Sequence, residues 1–216
     1  NNQLPNSNQN SANTGASLNP NSGALTFNAV TLGNFSTVVK VESWRCGQLI
    51  AVVYREMLIN IVNCSGSNAP PSIALSGITG NAVTVNAGDI VTFDILAQDN
   101  DLLLNGANQS VTLNIYGGEV GDGLTNPNLG CPLTPCAVAS GGMPLTNSQA
   151  VSSTFTWETS CNLFTEDCYR PQKIFYFTIV AQDDYCSLPG QNEVTVAITV
   201  NNQPPIDNPS VRCLNV

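Results

Sequence analysis

The stretch that decides the fold is residues 173–200, KIFYFTIVAQDDYCSLPGQNEVTVAITV. Two runs of β-branched and aromatic residues within it, 174–181 and 193–200, alternate with period two. Alternation of this kind is typical of strands that bury one face. Residues 187–190, SLPG, lie between the runs and are a turn signal, so the stretch predicts an antiparallel hairpin. We expect it to close a sheet of a β-sandwich.

The composition favours strands and polar loops over helices. Hydrophobic residues make up 42% of the 216 positions but charged residues only 10%, and Asn, Ser, Thr, Gly and Pro are frequent instead. A net charge of −9 argues against a nucleic-acid partner, which needs a basic face. Without His, the common zinc spacings and His-dependent catalytic pairs are absent. We therefore predict a protein that is not an enzyme, and no membrane span in this segment.

Eight Cys in a strand-rich chain indicate disulfides and an oxidising, extracellular compartment. The alternative, eight buried free thiols, does not suit the Cys that lie in polar loops. Spacing alone leaves the connectivity open. The predicted pairs are Cys131–Cys136 and Cys161–Cys168, which close small rings, and Cys64–Cys186, which joins two units; Cys46 is expected to pair upstream and Cys213 beyond the residues shown.

Two Pro-Pro pairs divide the chain, because Pro cannot continue a strand ladder. Residues 1–23 are polar and predict a linker or loop. Three strands follow at 24–30, 34–44 and 49–63. A helix is the alternative for the last of these, which we expect to bulge near Arg55 and Glu56. Seven strands are predicted after the first Pro-Pro pair, with a Gly- and Pro-rich excursion at 117–147 that is either a functional loop or irregular strands. The predicted domains are 1–64, the C-terminal part of an immunoglobulin-like (Ig-like) or incomplete domain; 65–72, a linker; 73–200, a complete Ig-like β-sandwich; and 201–216, a linker and the first strand of a next domain.

Several segments resemble a known family. They are residues 33–41 (GNFSTVVKV), 48–56 (QLIAVVYRE), Phe155-Thr156-Trp157 with Cys161, and 181–186 (AQDDYC). They resemble the tandem Ig-like repeats of large cell-surface proteins of gliding and other Bacteroidota, many of them adhesins exported by type IX secretion. The linker VNNQPPI at 200–206 is similar to PKD-like and cadherin-like junctions. The resemblance implies an all-β array of Ig-like β-sandwiches at the bacterial cell surface.

Two predicted strands end in the same tripeptide, Ala-Gln-Asp, at Asp99 and Asp183. In an Ig-like sandwich these strands belong to opposing sheets and can end at one pole. Asp99, Asp101, Asp183 and Asp184 would then lie together and supply oxygen ligands of the kind that Ca²⁺ prefers. Cadherin-like repeats place Ca²⁺ at such a junction, although the linker Asp of that family is Asn68 here. The alternative is that these residues form Asx-turns in solvated loops.

These observations predict a structural and adhesive segment of a bacterial cell-surface or extracellular fibre, whose partners are neighbouring Ig-like repeats. One alternative is a carbohydrate-binding module of a secreted enzyme, with Trp44, Trp157 and Tyr116 as a platform for surface glycans. The other is a filament subunit assembled by strand complementation, in which residues 206–216 of one copy complete the head, residues 1–64, of the next.

Overall fold

A computed structural model of the chain describes residues 4–20, 23–63, 68–164, 171–185 and 189–202. The chain divides into two compact units, Asn1–Ser65 and Gly66–Val216, called unit 1 and unit 2 below. The described residues form strands apart from turns, loops and one 3₁₀ turn, which confirms the all-β prediction. In this part of the chain no helix has the length and hydropathy to cross a membrane.

Unit 1 consists of two antiparallel hairpins rather than a sandwich. They are β1 (Thr14–Leu18) with β2 (Leu25–Asn28), and β3 (Gly33–Arg45) with β4 (Gln48–Ile61). The prediction that residues 1–23 form a linker or loop is wrong for Thr14–Leu18, which is strand β1. Its sequence, TGASL, carries no apolar alternation and every residue in it is exposed, so composition gave no signal of a strand.

The β3–β4 hairpin closes through a two-residue turn at Cys46 and Gly47, whose φ angles are +50° and +75°. Positive φ at both positions belongs to the type I′ turn, whose twist matches that of the two strands. The strand prediction for the long apolar run is confirmed by β4. The bulge predicted near Arg55 and Glu56 is wrong, because the register shift lies between Ser43 and Trp44, next to the turn.

Unit 2 is a two-layer sandwich with the strand order of an immunoglobulin domain. One sheet has the order β5-β7-β11-β9 and the other β10-β8-β12-β13-β6. All neighbours are antiparallel except β6 and β13, which are parallel. All seven predicted strands are present, and the Gly- and Pro-rich excursion contains two short ones, β9 and β10. The strands are β5 (Ser72–Ser76), β6 (Ala82–Asn86), β7 (Ile90–Gln98), β8 (Ser110–Tyr116), β9 (Val138–Ala139), β10 (Leu145–Ser148), β11 (Ala150–Glu158), β12 (Gln172–Gln182) and β13 (Gln191–Asn201), with a 3₁₀ turn at Cys161–Phe164.

The core of unit 2 lies between the sheets, where alternate residues of the central strands are buried. An aromatic cluster forms its centre. Phe93 stacks on Phe155 at a centroid distance of 4.7 Å, and Phe177 meets the edges of Phe155 and Trp157 at 5.0 and 5.3 Å. Stacked and edge-to-face pairs add stability beyond the area that they bury. The period-two pattern of the sequence therefore corresponds to the buried face of each strand.

The chain passes through unit 2 from one end to the other. Asn68 lies where β12 ends, since its amide contacts Asp183, and we call this end the first pole. Asn201 ends β13 at the opposite end, where its carbonyl accepts a hydrogen bond from the Ala87 N–H at 2.9 Å; this is the second pole. With 11 residues, β13 extends over about 36 Å, which separates the two poles.

Candidate functional site

Asp183 is the central residue of the first pole. It follows β12, is 4% exposed, and accepts three hydrogen bonds. The Asn68 amide donates to Oδ2 at 2.8 Å, while the N–H groups of Gly190 and Tyr185 donate to Oδ1 at 2.7 and 3.0 Å. A Cβ atom at Gly190 would lie 2.5 Å from Oδ2, so only Gly allows the backbone this close. Asp183 thus joins the start of unit 2 to the loop between β12 and β13.

Asp99 follows β7 and is also buried, at 5% exposed. Its Oδ1 accepts a hydrogen bond from the Asp101 N–H at 2.8 Å, and its own N–H donates to the Gln149 carbonyl at 2.7 Å. Its Oδ2 is buried and has no hydrogen-bond partner among the described residues. A buried oxygen without a donor is costly, especially on a carboxylate.

Gln109 carries a second unpartnered oxygen at this pole. The side chain is fully buried, and its Nε2 donates to Asn68 Oδ1 at 2.7 Å. Within the described part of the chain its Oε1 has no donor. Gln109 and Asp99 are linked through Gln149, whose N–H donates to the Gln109 carbonyl and whose carbonyl accepts from Asp99. Gln109 was missed in the sequence because a Gln in a polar loop carries no pattern.

The other two predicted ligands bind backbone donors. Asp101 Oδ2 accepts a hydrogen bond from the Ala69 N–H at 2.7 Å, and Asp184 Oδ1 accepts one from the Ser110 N–H at 2.8 Å. Across the described ranges, no group of three or more His, Cys, Asp or Glu has the spacing of a metal site. Asp99 and Asp183 each accept a hydrogen bond from the backbone N–H two residues later in the chain. This is the geometry of an Asx-turn, which was the alternative to a metal site. Binding of Ca²⁺ stays a prediction.

Burial raises the pKa of Asp99 above its ordinary value of 3.8. The hydrogen bond from the Asp101 N–H opposes this shift, and the negative charges of Asp101, Asp183 and Asp184 add to it. A proton on Asp99 Oδ2 removes the negative charge from an oxygen that has no hydrogen-bond donor. A bound cation would neutralise the same charge. A negative charge on Asp99 is therefore unfavourable at the first pole.

Glu119 is a second carboxylate with an altered environment. Burial raises its pKa and the Lys173 ammonium lowers it, and Oε2 has no hydrogen-bond partner in the described structure. It lies in the loop after β8, and from the sequence Glu119 with Asp122 is only a weak candidate for a catalytic carboxylate pair. It is one half-buried carboxylate, and we assign no ligand to it.

The structure contains the predicted Cys131–Cys136 disulfide, with Cα atoms 5.7 Å apart. Cys161 and Cys46 are disulfide-bonded as well. The expectation that Cys46 pairs upstream is wrong, because it is the first Cys of the sequence and is bonded within the chain. The remaining Cys of the predicted pairs, Cys64, Cys168, Cys186 and Cys213, lie outside the described residues.

The predicted aromatic platform is not assembled within unit 2. Trp157 is fully buried in the core, and its Nε1 donates to the Pro135 carbonyl at 3.0 Å. Tyr116 is exposed at the end of β8, where Asn114 donates a hydrogen bond to its hydroxyl oxygen. A sugar-binding surface needs exposed rings, so Trp157 is excluded from one.

No family model and no curated protein matches the chain. Among solved structures it is similar to AggA, the major subunit of aggregative adherence fimbriae type I from Escherichia coli, with 10% identity over 65% of this chain and 99% of that one and a TM-score of 0.36. The CooA pilin subunit of enterotoxigenic Escherichia coli matches with 12% identity over 62% and 100% and a TM-score of 0.38. The BIgI domain of the beta protein from S. agalactiae, solved bound to CEACAM1, matches with 16% identity over 62% and 99% and a TM-score of 0.33. At these values the similarities add nothing to the fold that the strand order establishes, and the Bacteroidota resemblance stays a prediction.

Substitution of Asp99 by Asn tests the charge at the first pole. Since the pKa of Asp99 is raised in the folded state, proton binding stabilises the fold; this stabilisation is complete below the unfolded pKa of 3.8 and is lost as the pH rises through the folded value. In Ca²⁺-free buffer near pH 7 we expect Asp99→Asn to raise the free energy of unfolding, and the gain to vanish towards about pH 4. Urea unfolding across this pH range measures the difference.

The same variant tests the predicted metal. If Ca²⁺ binds Asp99, millimolar Ca²⁺ stabilises the wild type and leaves Asp99→Asn unchanged. The exposed Asp94, on the outer face of β7, supplies the control Asp94→Asn, which should show neither effect. A variant that is less stable than the wild type near pH 7 without Ca²⁺ would contradict the assignment of an unfavourable charge.

Proposed function

We propose that this chain is a structural, non-enzymatic segment of an extracellular bacterial surface fibre, in which Ig-like units carry tension and hold an adhesive end away from the cell. The observation that carries the proposal is the path of the chain through unit 2, from the first pole at Asn68 to the second pole at Asn201. A pull applied at these two ends therefore acts along the whole length of unit 2.

The parallel pairing of β6 with β13 suits a load-bearing unit. Five residue pairs join them, from Ala197 with Ala82 to Asn201 with Asn86. When a parallel pair is pulled by the N-terminal side of one strand and the C-terminal side of the other, the hydrogen bonds are loaded in shear and resist together. The chain enters unit 2 before β6 and leaves it after β13, so tension along a fibre acts in this direction.

The disulfides support the proposed location at the cell surface or outside the cell. The Cys131–Cys136 bridge closes a loop that contacts the core, because the Pro135 carbonyl between them accepts the hydrogen bond of Trp157. Such bridges persist in oxidising compartments and are rare in the cytosol. In this proposal the partners are neighbouring Ig-like repeats, and a Bacteroidota source with type IX secretion or a role in gliding motility follows from the resemblance alone.

The proposal also includes a role for the first pole of unit 2. Asn68 stands at the start of unit 2 and hydrogen-bonds both Asp183 and Gln109, so the linker is tied to the pole. Ca²⁺ bound there through the unpartnered oxygens of Asp99 and Gln109, beside the neighbouring carboxylates, would stiffen this end of unit 2. The carbohydrate-binding alternative is weaker, because Trp157 is buried and cannot form part of an exposed aromatic platform for a sugar.

Pulling unit 2 by its two poles tests the load-bearing role. We expect a higher unfolding force for this direction than for one that peels β13 away from β6, since five pairs share the load only in the first case.

A further inference from the structure

The chain enters unit 2 through residues 68–71, which we call the entry segment. The segment contains two Pro, which have no N–H, and it precedes β5, the first strand of the unit. Side chains hold it instead of a strand ladder, through hydrogen bonds to Asp101, Gln109, Asp183 and Asn192. The attachment of the entry segment therefore depends on polar contacts at the first pole.

The carboxylate of Asp183 fixes the orientation of two amide groups in series. Because a carboxylate only accepts hydrogen bonds, the NH₂ group of Asn68 faces Asp183 Oδ2, at 2.8 Å. The oxygen of the same amide then faces Gln109 and accepts a hydrogen bond from its Nε2 at 2.7 Å. Gln109 Oε1 is the far end of this amide relay, and it is buried without a donor in the described structure. Turning both amides over would place Asn68 Oδ1 against the Asp183 carboxylate.

Gln149 connects the end of the relay to Asp99. Its N–H donates to the Gln109 backbone carbonyl at 2.9 Å, and its carbonyl accepts a hydrogen bond from the Asp99 N–H at 2.7 Å. Gln149 is the single residue between β10 and β11, where the chain crosses from one sheet to the other. Two residues bonded to the same peptide backbone, Asp99 and Gln109, thus each carry a buried side-chain oxygen without a donor among the described residues.

The chemistry of these two oxygens suits a hard cation. One belongs to a carboxylate and the other to an amide, and both are ligand types that Ca²⁺ takes, with water completing its shell. Among the described residues of unit 2, the cationic side chain is Lys173, near the start of β12. Asp183 follows the end of that strand, about 33 Å away, so Lys173 does not supply the positive charge at the first pole.

We propose that Gln109 couples Ca²⁺ bound at the first pole to the attachment of the entry segment. The proposal rests on the Ca²⁺ role proposed above and names the residue through which that role acts. A cation at Gln109 Oε1 draws electron density through the amide, so Nε2 becomes a stronger donor to Asn68, and Asn68 in turn to Asp183. Because coupling between two sites is reciprocal, a firmly held Asn68 also raises the affinity for Ca²⁺.

The Ca²⁺ affinity of an Asn68 variant measures this coupling, since Asn68 is not one of the proposed ligands. Calorimetry of the chelator-treated full chain with Ca²⁺ should give Asn68→Ala a dissociation constant at least about fivefold above that of the wild type. Asn192→Ala is the matched control. It also removes one hydrogen bond from the entry segment, to the Pro71 carbonyl, but Asn192 is not part of the amide relay. Its dissociation constant should equal that of the wild type.

A substitution of Gln109 separates its oxygen from its donor. Gln109→Glu keeps a ligand oxygen but has no N–H to donate to Asn68. In this background, Asn68→Ala should no longer change the Ca²⁺ affinity. The side-chain amide signals of the wild type give a second readout by NMR, which needs no variant. Ca²⁺ should shift the signals of Gln109 and Asn68 and leave that of Asn201, at the second pole, in place.

Three results would overturn the proposal. The first is a wild type that does not bind Ca²⁺ at millimolar concentration. The second is an equal dissociation constant for the wild type and Asn68→Ala, or an equal loss in Asn68→Ala and Asn192→Ala. The third, which decides the matter if Asn68→Ala does not fold, is an unmoved Asn68 signal in a wild type that binds Ca²⁺. None of them touches the load-bearing role of unit 2, because that role depends on β6 and β13 and has its own pulling test.

Discussion

Replacement of Trp157 by Ala should lower the free energy of unfolding of unit 2 by about 3–5 kcal/mol. The side chain is fully buried and meets the rings of Phe175 and Phe177 edge-on at 5.0 and 5.3 Å. Its removal leaves a cavity between the sheets and an unpartnered carbonyl at Pro135. Domains of this kind are stable by about 5–15 kcal/mol, so the loss is a large part of the total.

Trp44 provides the matched control for this experiment. The substitution Trp44→Ala is chemically the same, but Trp44 is 58% exposed on β3, and we expect a change in the free energy of unfolding within about 0.5 kcal/mol. If the Ala variant does not fold, Trp157→Phe replaces it in the experiment. Phe keeps an aromatic ring in the core but cannot donate the hydrogen bond to the Pro135 carbonyl. Denaturation followed by circular dichroism measures all three. Equal effects at positions 44 and 157 would contradict the assignment of Trp157 to the core.

The second large effect is expected at Asp183. Its carboxylate accepts hydrogen bonds from Asn68, Tyr185 and Gly190, and Ala at this position leaves all three donors without an acceptor inside the protein. Each buried donor left without a partner costs about 1–3 kcal/mol, so we expect Asp183→Ala to lower the free energy of unfolding by at least about 3 kcal/mol. Asp183→Asn should lower the free energy of unfolding less, because Asn keeps one side-chain oxygen as an acceptor. Its NH₂ group would then lie opposite the NH₂ group of Asn68, so that hydrogen bond is lost.

The neighbouring residue is the control for this prediction. Asp184 is exposed and accepts one hydrogen bond, from the Ser110 N–H, so Asp184→Ala should cost less than about 1 kcal/mol. Thermal or urea unfolding compares the two variants directly. If they destabilise unit 2 equally, the hydrogen bonds at Asp183 do not hold the first pole together.

Much of unit 2 is predictable because its strands bury one face and expose the other. In β7, β11 and β12, buried residues alternate with exposed or half-buried ones, and the same alternation is visible in the amino acids. The Cys131–Cys136 pair is predictable for a different reason, since two Cys this close in a Pro-bearing loop can close a small ring.

Other features leave no local trace in the sequence. The polar strand β1 has no buried face, and β9 is only two residues long, so neither shows a period. The bulge of β3–β4 lies beside the turn because the register of a hairpin depends on pairing between strands. The orphan oxygens of Asp99 and Gln109 depend on burial by distant parts of the chain, so the pattern Ala-Gln-Asp predicted the pole but not its unpartnered atoms.

The central claim is that unit 2 carries load between its poles, and single-molecule pulling tests it most directly. Handles at Asn68 and Asn202 of the full chain load the β6–β13 pairs in shear. Handles at Gly88 and Asn202 load them at the second pole, where the pairs open one after another from Asn86 and Asn201. We predict a clearly higher unfolding force in the first geometry. An equal or lower force there would contradict a structural role for this unit.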